Sequence, residues 1–149
     1  MRHRLSSSED TISFGKHYAS LLPAGSIIAL SGDLGAGKTT FVQGIAQGLS
    51  ISESVQSPTF NYLNIYHGAL PLYHFDLYRM KGPSDFFSMG FEEYFNSDGI
   101  TVIEWAERLD GMLPPHTLFI HFCYDGNERV AKTSLPTGSN FTINLLKSY

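Results

Sequence analysis

The sequence predicts an α/β fold with a mixed, partly parallel central β-sheet flanked by helices, on three observations. The apolar run Ser26-Ile27-Ile28-Ala29-Leu30 leads into Gly32-Asp33-Leu34-Gly35-Ala36-Gly37-Lys38-Thr39, which has the G-x-x-x-x-G-K-[ST] spacing of a phosphate-binding loop. Such a loop joins a buried strand to a helix. A second apolar run, Ile100-Thr101-Val102-Ile103, ends in a carboxylate, Glu104, as a strand does at the ligand-collecting edge of an open α/β sheet. The segments 60–66 and 70–75 flank His67-Gly68-Ala69 as a hairpin, and an antiparallel pair beside parallel strands makes the sheet mixed. A chain of 149 residues is the size of one domain with one core, so a single P-loop NTPase domain over 1–149 is expected.

Taken in order, Phe14, Tyr18, Leu21 and Leu22 fall at i, i+4, i+7 and i+8 and predict a helix from about Thr11 to just before Pro23-Ala24-Gly25. The strand 26–30 and the loop follow. Phe41, Val42, Ile45 and Leu49 then mark one face of a helix running to Gly48. Residues 50–58 are polar and without pattern. Between 77 and 98, Pro83, Gly90 and the turn signal Asp98-Gly99 leave room for two short helices, around Phe86-Phe87-Ser88-Met89 and Phe91-Glu92-Glu93-Tyr94-Phe95. Pro71 and His74 make 70–75 look like a less buried strand than 100–103. After the Pro114-Pro115 break, 117–124, 128–133 and 141–146 read as strands, the last also as a helix.

Composition narrows the function. Ten Lys and Arg stand against 14 Asp and Glu for a net charge of -4, and no basic run occurs, which argues against a direct footprint on DNA or RNA. Cys123 is the single cysteine, in an apolar run, so an inert core thiol in a reducing compartment is expected. The N-terminus lacks the apolar stretch of a signal peptide, and no run nears the roughly 20 apolar residues of a membrane span. A soluble, cytoplasmic protein with no membrane partner is expected.

The chemistry centres on phosphate. Gly32, Asp33, Leu34, Gly35, Ala36 and Gly37 wrap an anion with backbone N–H groups, and the helix that follows adds the positive end of its dipole. Lys38 reaches the outer phosphates and Thr39 offers a hydroxyl to Mg²⁺, so ATP or another nucleoside triphosphate with Mg²⁺ is the expected ligand. A carboxylate at the end of a neighbouring strand must then hold or orient the metal. Two compete, Asp76 and Glu104; both follow a strand, and the alternative for each is an ordinary surface carboxylate. His74 reads as a structural hydrogen-bonding residue rather than a base. Arg79 is open between pairing with Asp76, reaching a phosphate and binding another protein. Ser57-Pro58-Thr59 precedes a strand, as a phosphate-sensing switch does, and a plain turn is its bland reading. Trp105, the only tryptophan, adjoins a candidate metal ligand.

Four ordered motifs resemble the bacterial TsaE (YjeE) family: Gly32 to Phe41, Ser57-Pro58-Thr59-Phe60, His74-Phe75-Asp76-Leu77-Tyr78-Arg79, and Ile103-Glu104-Trp105. The resemblance runs from about Thr11 through Glu107. It implies a Mg²⁺-dependent ATPase needed for the N6-threonylcarbamoyladenosine modification of tRNA adenosine 37, an accessory subunit that docks on the TsaD–TsaB pair and meets tRNA only indirectly. It also implies Lys38 on phosphate, Thr39 and Glu104 on the metal, Asp76 supporting the metal or the attacking water, and Thr59 as a switch. Thr40, Trp105, Glu107 and Arg129 would lie at the nucleotide, with residues 7–11 approaching the adenine. Against it stand three readings. A GTPase lacks its N-K-x-D segment here, and a small kinase would want an arginine-rich lid, whereas only Arg79, Arg108 and Arg129 follow the loop. A nucleotide-sensing regulatory protein is the third.

Overall fold

The computed structural model describes residues 1–33, 35–109 and 111–135. Its strands are β1 (Arg2–Leu5), β2 (Ile27–Gly32), β3 (Leu63–Tyr66), β4 (Leu72–Asp76), β5 (Ile100–Glu104), β6 (Leu118–Asp125) and β7 (Glu128–Ser134). The helices are α1 (Ser8–Leu21), α2 (Lys38–Gly48) and the short α3 (Pro83–Ser88), with 3-10 turns at Phe91–Asn96 and Ala106–Leu109. One sheet takes all seven strands in the order β1-β7-β6-β2-β5-β4-β3. Its centre is parallel, β2 lying between β5 and β6 with β4 beyond β5, and both margins are antiparallel. The mixed, partly parallel sheet is thus as expected.

Both faces of β2 are buried, which is why 26–30 reads as an unbroken apolar run. Ile28 and Leu30 face α1 and α2, packing with Phe14, Tyr18, Phe41 and Phe122. Ile27 and Ala29 face the other way, into a second cluster with Phe75, Phe86, Ile103 and Leu109. The site therefore sits on a strand that cannot shift without disturbing two layers of packing.

Several expectations need correction. Helix α1 starts at Ser8 rather than near Thr11, because Ser7 caps it, its Oγ accepting from Asp10 N at 3.1 Å, and Glu9 and Asp10 suit the positive end of the helix. Its apolar stripe begins only later, so periodicity alone starts it too late. The strand predicted from residue 60 begins at Leu63, after a turn in which Tyr62 has φ 64°. Strand β4 is less fully buried than β5, as expected, Tyr73 and Asp76 being half-buried where β5 is buried throughout, but it is an interior strand between β5 and β3, and its His74 is fully buried. Pro71 precedes it and accepts from Ile100 N at 2.9 Å, so its missing N–H removes nothing from the ladder. Cys123 is half-buried on the outward face of β6, not in the core. Strand β1 and the 3-10 turn after Trp105 carry no pattern that announces them. The segment 141–146 lies outside the described residues.

Candidate nucleotide-binding site

Strand β2 runs straight into the loop, and two backbone features shape the turn. Gly32 has φ 125°, and a Cβ there would meet the Phe122 carbonyl oxygen at 2.0 Å, so β6 presses against the loop where only glycine fits. Gly37, φ 112°, caps α2 without any side-chain hydrogen bond, so the N–H groups of the first turn are left for a ligand.

Lys38 opens α2 and folds back over the loop. Its Nζ donates to the carbonyls of Gly32 (2.5 Å) and Asp33 (2.9 Å) and lies 4.2 Å from the centroid of the Trp105 ring. Burial lowers its ammonium pKa, and Glu104, Glu107, Asp76 and Asp33 pull it back up. A buried cation ringed by carboxylates is suited to an anion that brings its own charge.

The carboxylates come from adjacent parallel strands, in whose register Asp76 stands beside Glu104 at the carboxyl ends of β4 and β5. Glu104 is only 2% exposed. Thr39 Oγ1 donates to its Oε1 at 3.0 Å and lies 3.2 Å from Oε2, while His74 Nε2 lies 2.5 Å from Oε2. The Thr39 hydroxyl also lies 3.0 Å from Ser57 Oγ. Asp76 is half-buried and accepts from Tyr78 N at 3.0 Å. Burial raises its pKa, the Tyr78 amide opposes this, and the neighbouring Glu104 raises it further. The Glu104 carboxylate and the Thr39 and Ser57 hydroxyls gathered against it, with Asp76 in register beside Glu104, are hard oxygen donors of the kind Mg²⁺ takes.

Trp105 takes φ 58°, a strained backbone for a bulky residue. That turn swings its ring over Lys38 and against Tyr78, whose ring centroid is 5.0 Å away.

Gly35, Gly37, Lys38, Thr39, Thr40, Glu104 and Trp105 line one cleft. Ala36 is buried in the core beneath it, offering a ligand only backbone, and Asp33 is exposed with its carbonyl turned to Lys38. Leu34 lies outside the described residues. Glu107 is exposed on the 3-10 turn, near enough to act on Lys38. Arg129, on β7, does reach the loop: a Cβ on Gly37 would lie 3.9 Å from its Cδ and Nη1, and 3.7 Å from Thr11 Cγ2. Its Nη1 is buried without a hydrogen-bond partner among the described residues. Thr59 is exposed, and the hydroxyl of that segment that reaches Thr39 is Ser57's. Arg79 sets its guanidinium 5.1 Å from the exposed Phe60 ring. Sequence reasoning missed Ser57 and Tyr124, whose hydroxyl donates to Gly35 O at 3.1 Å; the Ser57-Pro58-Thr59 motif held a signal for the first, and nothing held one for the second.

Comparison with known proteins gives the chain's family. The family model described as threonylcarbamoyl adenosine biosynthesis protein TsaE matches residues 5–132. Proteins named tRNA threonylcarbamoyladenosine biosynthesis protein TsaE are similar along most of the chain. The one from Treponema pallidum (strain Nichols) is 45% identical over 126 residues, 83% of this chain and 93% of its own. That from Bacillus subtilis (strain 168) is 38% identical over 142 residues, 95% of this chain and 89% of its own. A crystal structure of Bacillus subtilis YdiB superposes with a TM-score of 0.82 at 34% identity, covering 99% of this chain and 92% of that one. With a family model spanning β1 to β7 and relatives this similar over nearly their whole length, the chain belongs to the TsaE family.

Proposed function

We propose that this chain is a Mg²⁺-dependent ATPase that serves the N6-threonylcarbamoyladenosine modification of tRNA adenosine 37 as an accessory subunit of TsaD–TsaB. The observation that carries the reading is the convergence of Lys38, Thr39 and Glu104 in one cleft at the carboxyl end of the parallel strands, in a chain of the TsaE family. The names of the relatives supply the pathway.

In this reading the loop amides and Lys38 bind the β- and γ-phosphates of ATP. Thr39 and Glu104 would hold Mg²⁺, and Asp76, beside Glu104, would support the metal or orient water. When bound there, Mg²⁺ would supply positive charge to offset the negative charge that develops on the phosphate during transfer. Arg129 and Thr11 flank the loop from the β7 and α1 side, and the Arg129 Nη1, without a partner among the described residues, offers a phosphate a donor. Thr40, Trp105 and Glu107 complete the nucleotide's surroundings, with Ser57 joining Thr59 in the switch segment. The net charge of -4 favours contact with tRNA through partner proteins. No helix among the described residues is long and apolar enough to cross a membrane, and a cytoplasmic place of work fits that pathway.

The test is ATP hydrolysis by the purified chain, alone and with TsaD–TsaB, together with the yield of modified adenosine on tRNA. The reading expects the partner pair to raise both in a Lys38-dependent way. Hydrolysis that occurs only with a small phosphate acceptor would replace it with a kinase, and nucleotide binding without turnover in any mixture would leave a sensor.

A further inference from the structure

His74 stands two residues before Asp76 on β4, fully buried, with its imidazole beneath Glu104. Its Nε2 meets Glu104 Oε2 at 2.5 Å, while Oε1 accepts the Thr39 hydroxyl at 3.0 Å. A carboxylate only accepts, so the hydrogen in the short contact belongs to His74 Nε2. The carboxylate is therefore gripped at both oxygens, by Thr39 from α2 and by His74 from β4. His74 Nδ1 is buried with no hydrogen-bond partner among the described residues, so the ring's polar contact is directed to Glu104. Leu72 and Phe75 are fully buried on the same strand, and an apolar side chain at 74 would fill the place without desolvating an imidazole.

We infer that His74 is a positioning residue for the metal site, fixing the rotation of the Glu104 carboxylate so that it stays turned toward Thr39, where the cation is held. The inference rests on the Mg²⁺-nucleotide reading above. Groups that hydrogen-bond a metal-ligating carboxylate set its orientation, and their loss typically costs about 10–100-fold in metal affinity.

The experiment follows a fluorescent ATP analogue bound to the full chain as Mg²⁺ is titrated, with binding in EDTA and the thermal midpoint in EDTA measured beside it. His74→Leu keeps the volume and removes the donor; His74→Gln keeps an N–H at similar reach. The expected result is a half-saturating Mg²⁺ concentration raised about 10-fold or more in His74→Leu, near-parental in His74→Gln, with EDTA binding unchanged in both. An unchanged Mg²⁺ requirement in His74→Leu overturns the role. So do equal losses in both variants that track a lowered midpoint, since these mark packing alone. If His74→Leu does not fold, His74→Asn, whose amide stops short of Glu104, takes its place, and parity of His74→Asn with His74→Gln overturns the role. A parent chain whose nucleotide binding ignores Mg²⁺ overturns the underlying metal reading instead.

Discussion

Lys38 occupies a place where an ammonium is costly unless anions answer it, and the surrounding carboxylates answer it only in part. Lys38→Ala is expected to abolish measurable ATP binding by calorimetry while leaving the thermal midpoint in EDTA the same or higher, since a desolvated charge is gone; retained affinity would remove the lysine from the site. Asp76 makes a pH-dependent case. Burial raises its pKa, so the folded chain holds that proton more tightly than the unfolded one. Stability from this source is present below the unfolded value and is lost as pH rises through the raised folded value. Asp76→Asn keeps an acceptor for Tyr78 N and drops the charge, so without Mg²⁺ it should melt higher than the parent at pH 7, the gap closing below about pH 4. A lower midpoint at pH 7 would refute the argument. The same variant should lose hydrolysis. Lys38, Thr39 and Glu104 were legible because phosphate chemistry fixes a local spacing and a strand end. Ser57 and Tyr124 were not, because their bonds to the loop span 18 and 89 residues of chain, and only the fold decides which hydroxyl arrives.

At the scale of elements, α1 and α2 cross so closely that Gly15 and Gly44 touch. A Cβ on Gly44 would lie 2.3 Å from Ile12 O, and one on Gly15 would lie 2.4 Å from Phe41 O. In an exposed helix interior Gly→Ala gains about 1 kcal/mol; here the added methyl must separate two helices that both pack on the sheet. Overpacking typically costs about 1–3 kcal/mol, so Gly44→Ala should lose stability in urea denaturation, and a gain would show that the crossing is loose. Since α2 carries Lys38 and Thr39, the crossing also fixes the depth of the cleft. Helix α2 and strands β2 and β5 were readable from apolar pattern because each buries a face or both. The misread elements are those whose burial comes from elsewhere. Strand β1 hides only Leu5 and pairs by backbone alone, and within β4, rightly read as less buried than β5, the polar His74 is nonetheless fully buried through its bond to Glu104.

Across the whole molecule, the antiparallel margin of the sheet reaches back to the parallel centre's ligand edge. Strands β6 and β7 turn at Gly126-Asn127, so the end of one and the start of the other stand over the loop, Tyr124 bonding Gly35 O and Arg129 lying along Gly37. That hairpin is held from outside by β1, whose Leu5 pairs in register with Arg129 and is 2% exposed in the core. The N-terminal strand thus supports the nucleotide cleft without touching it. Arg129→Ala should weaken ATP binding by about 1.5–3 kcal/mol, the range for hydrogen bonds to charged groups, with little change in stability. Leu5→Ala should lower stability by about 2–5 kcal/mol and, measured well below its melting point, should also weaken ATP binding, by less than Arg129→Ala does. If β1 acts on the nucleotide through Arg129, the double variant binds no worse than Arg129→Ala alone, because the second loss has nothing left to misplace. Additive losses in calorimetry would mean instead that β1 and Arg129 reach the site by separate routes, and that the margin of the sheet supports only its own folding.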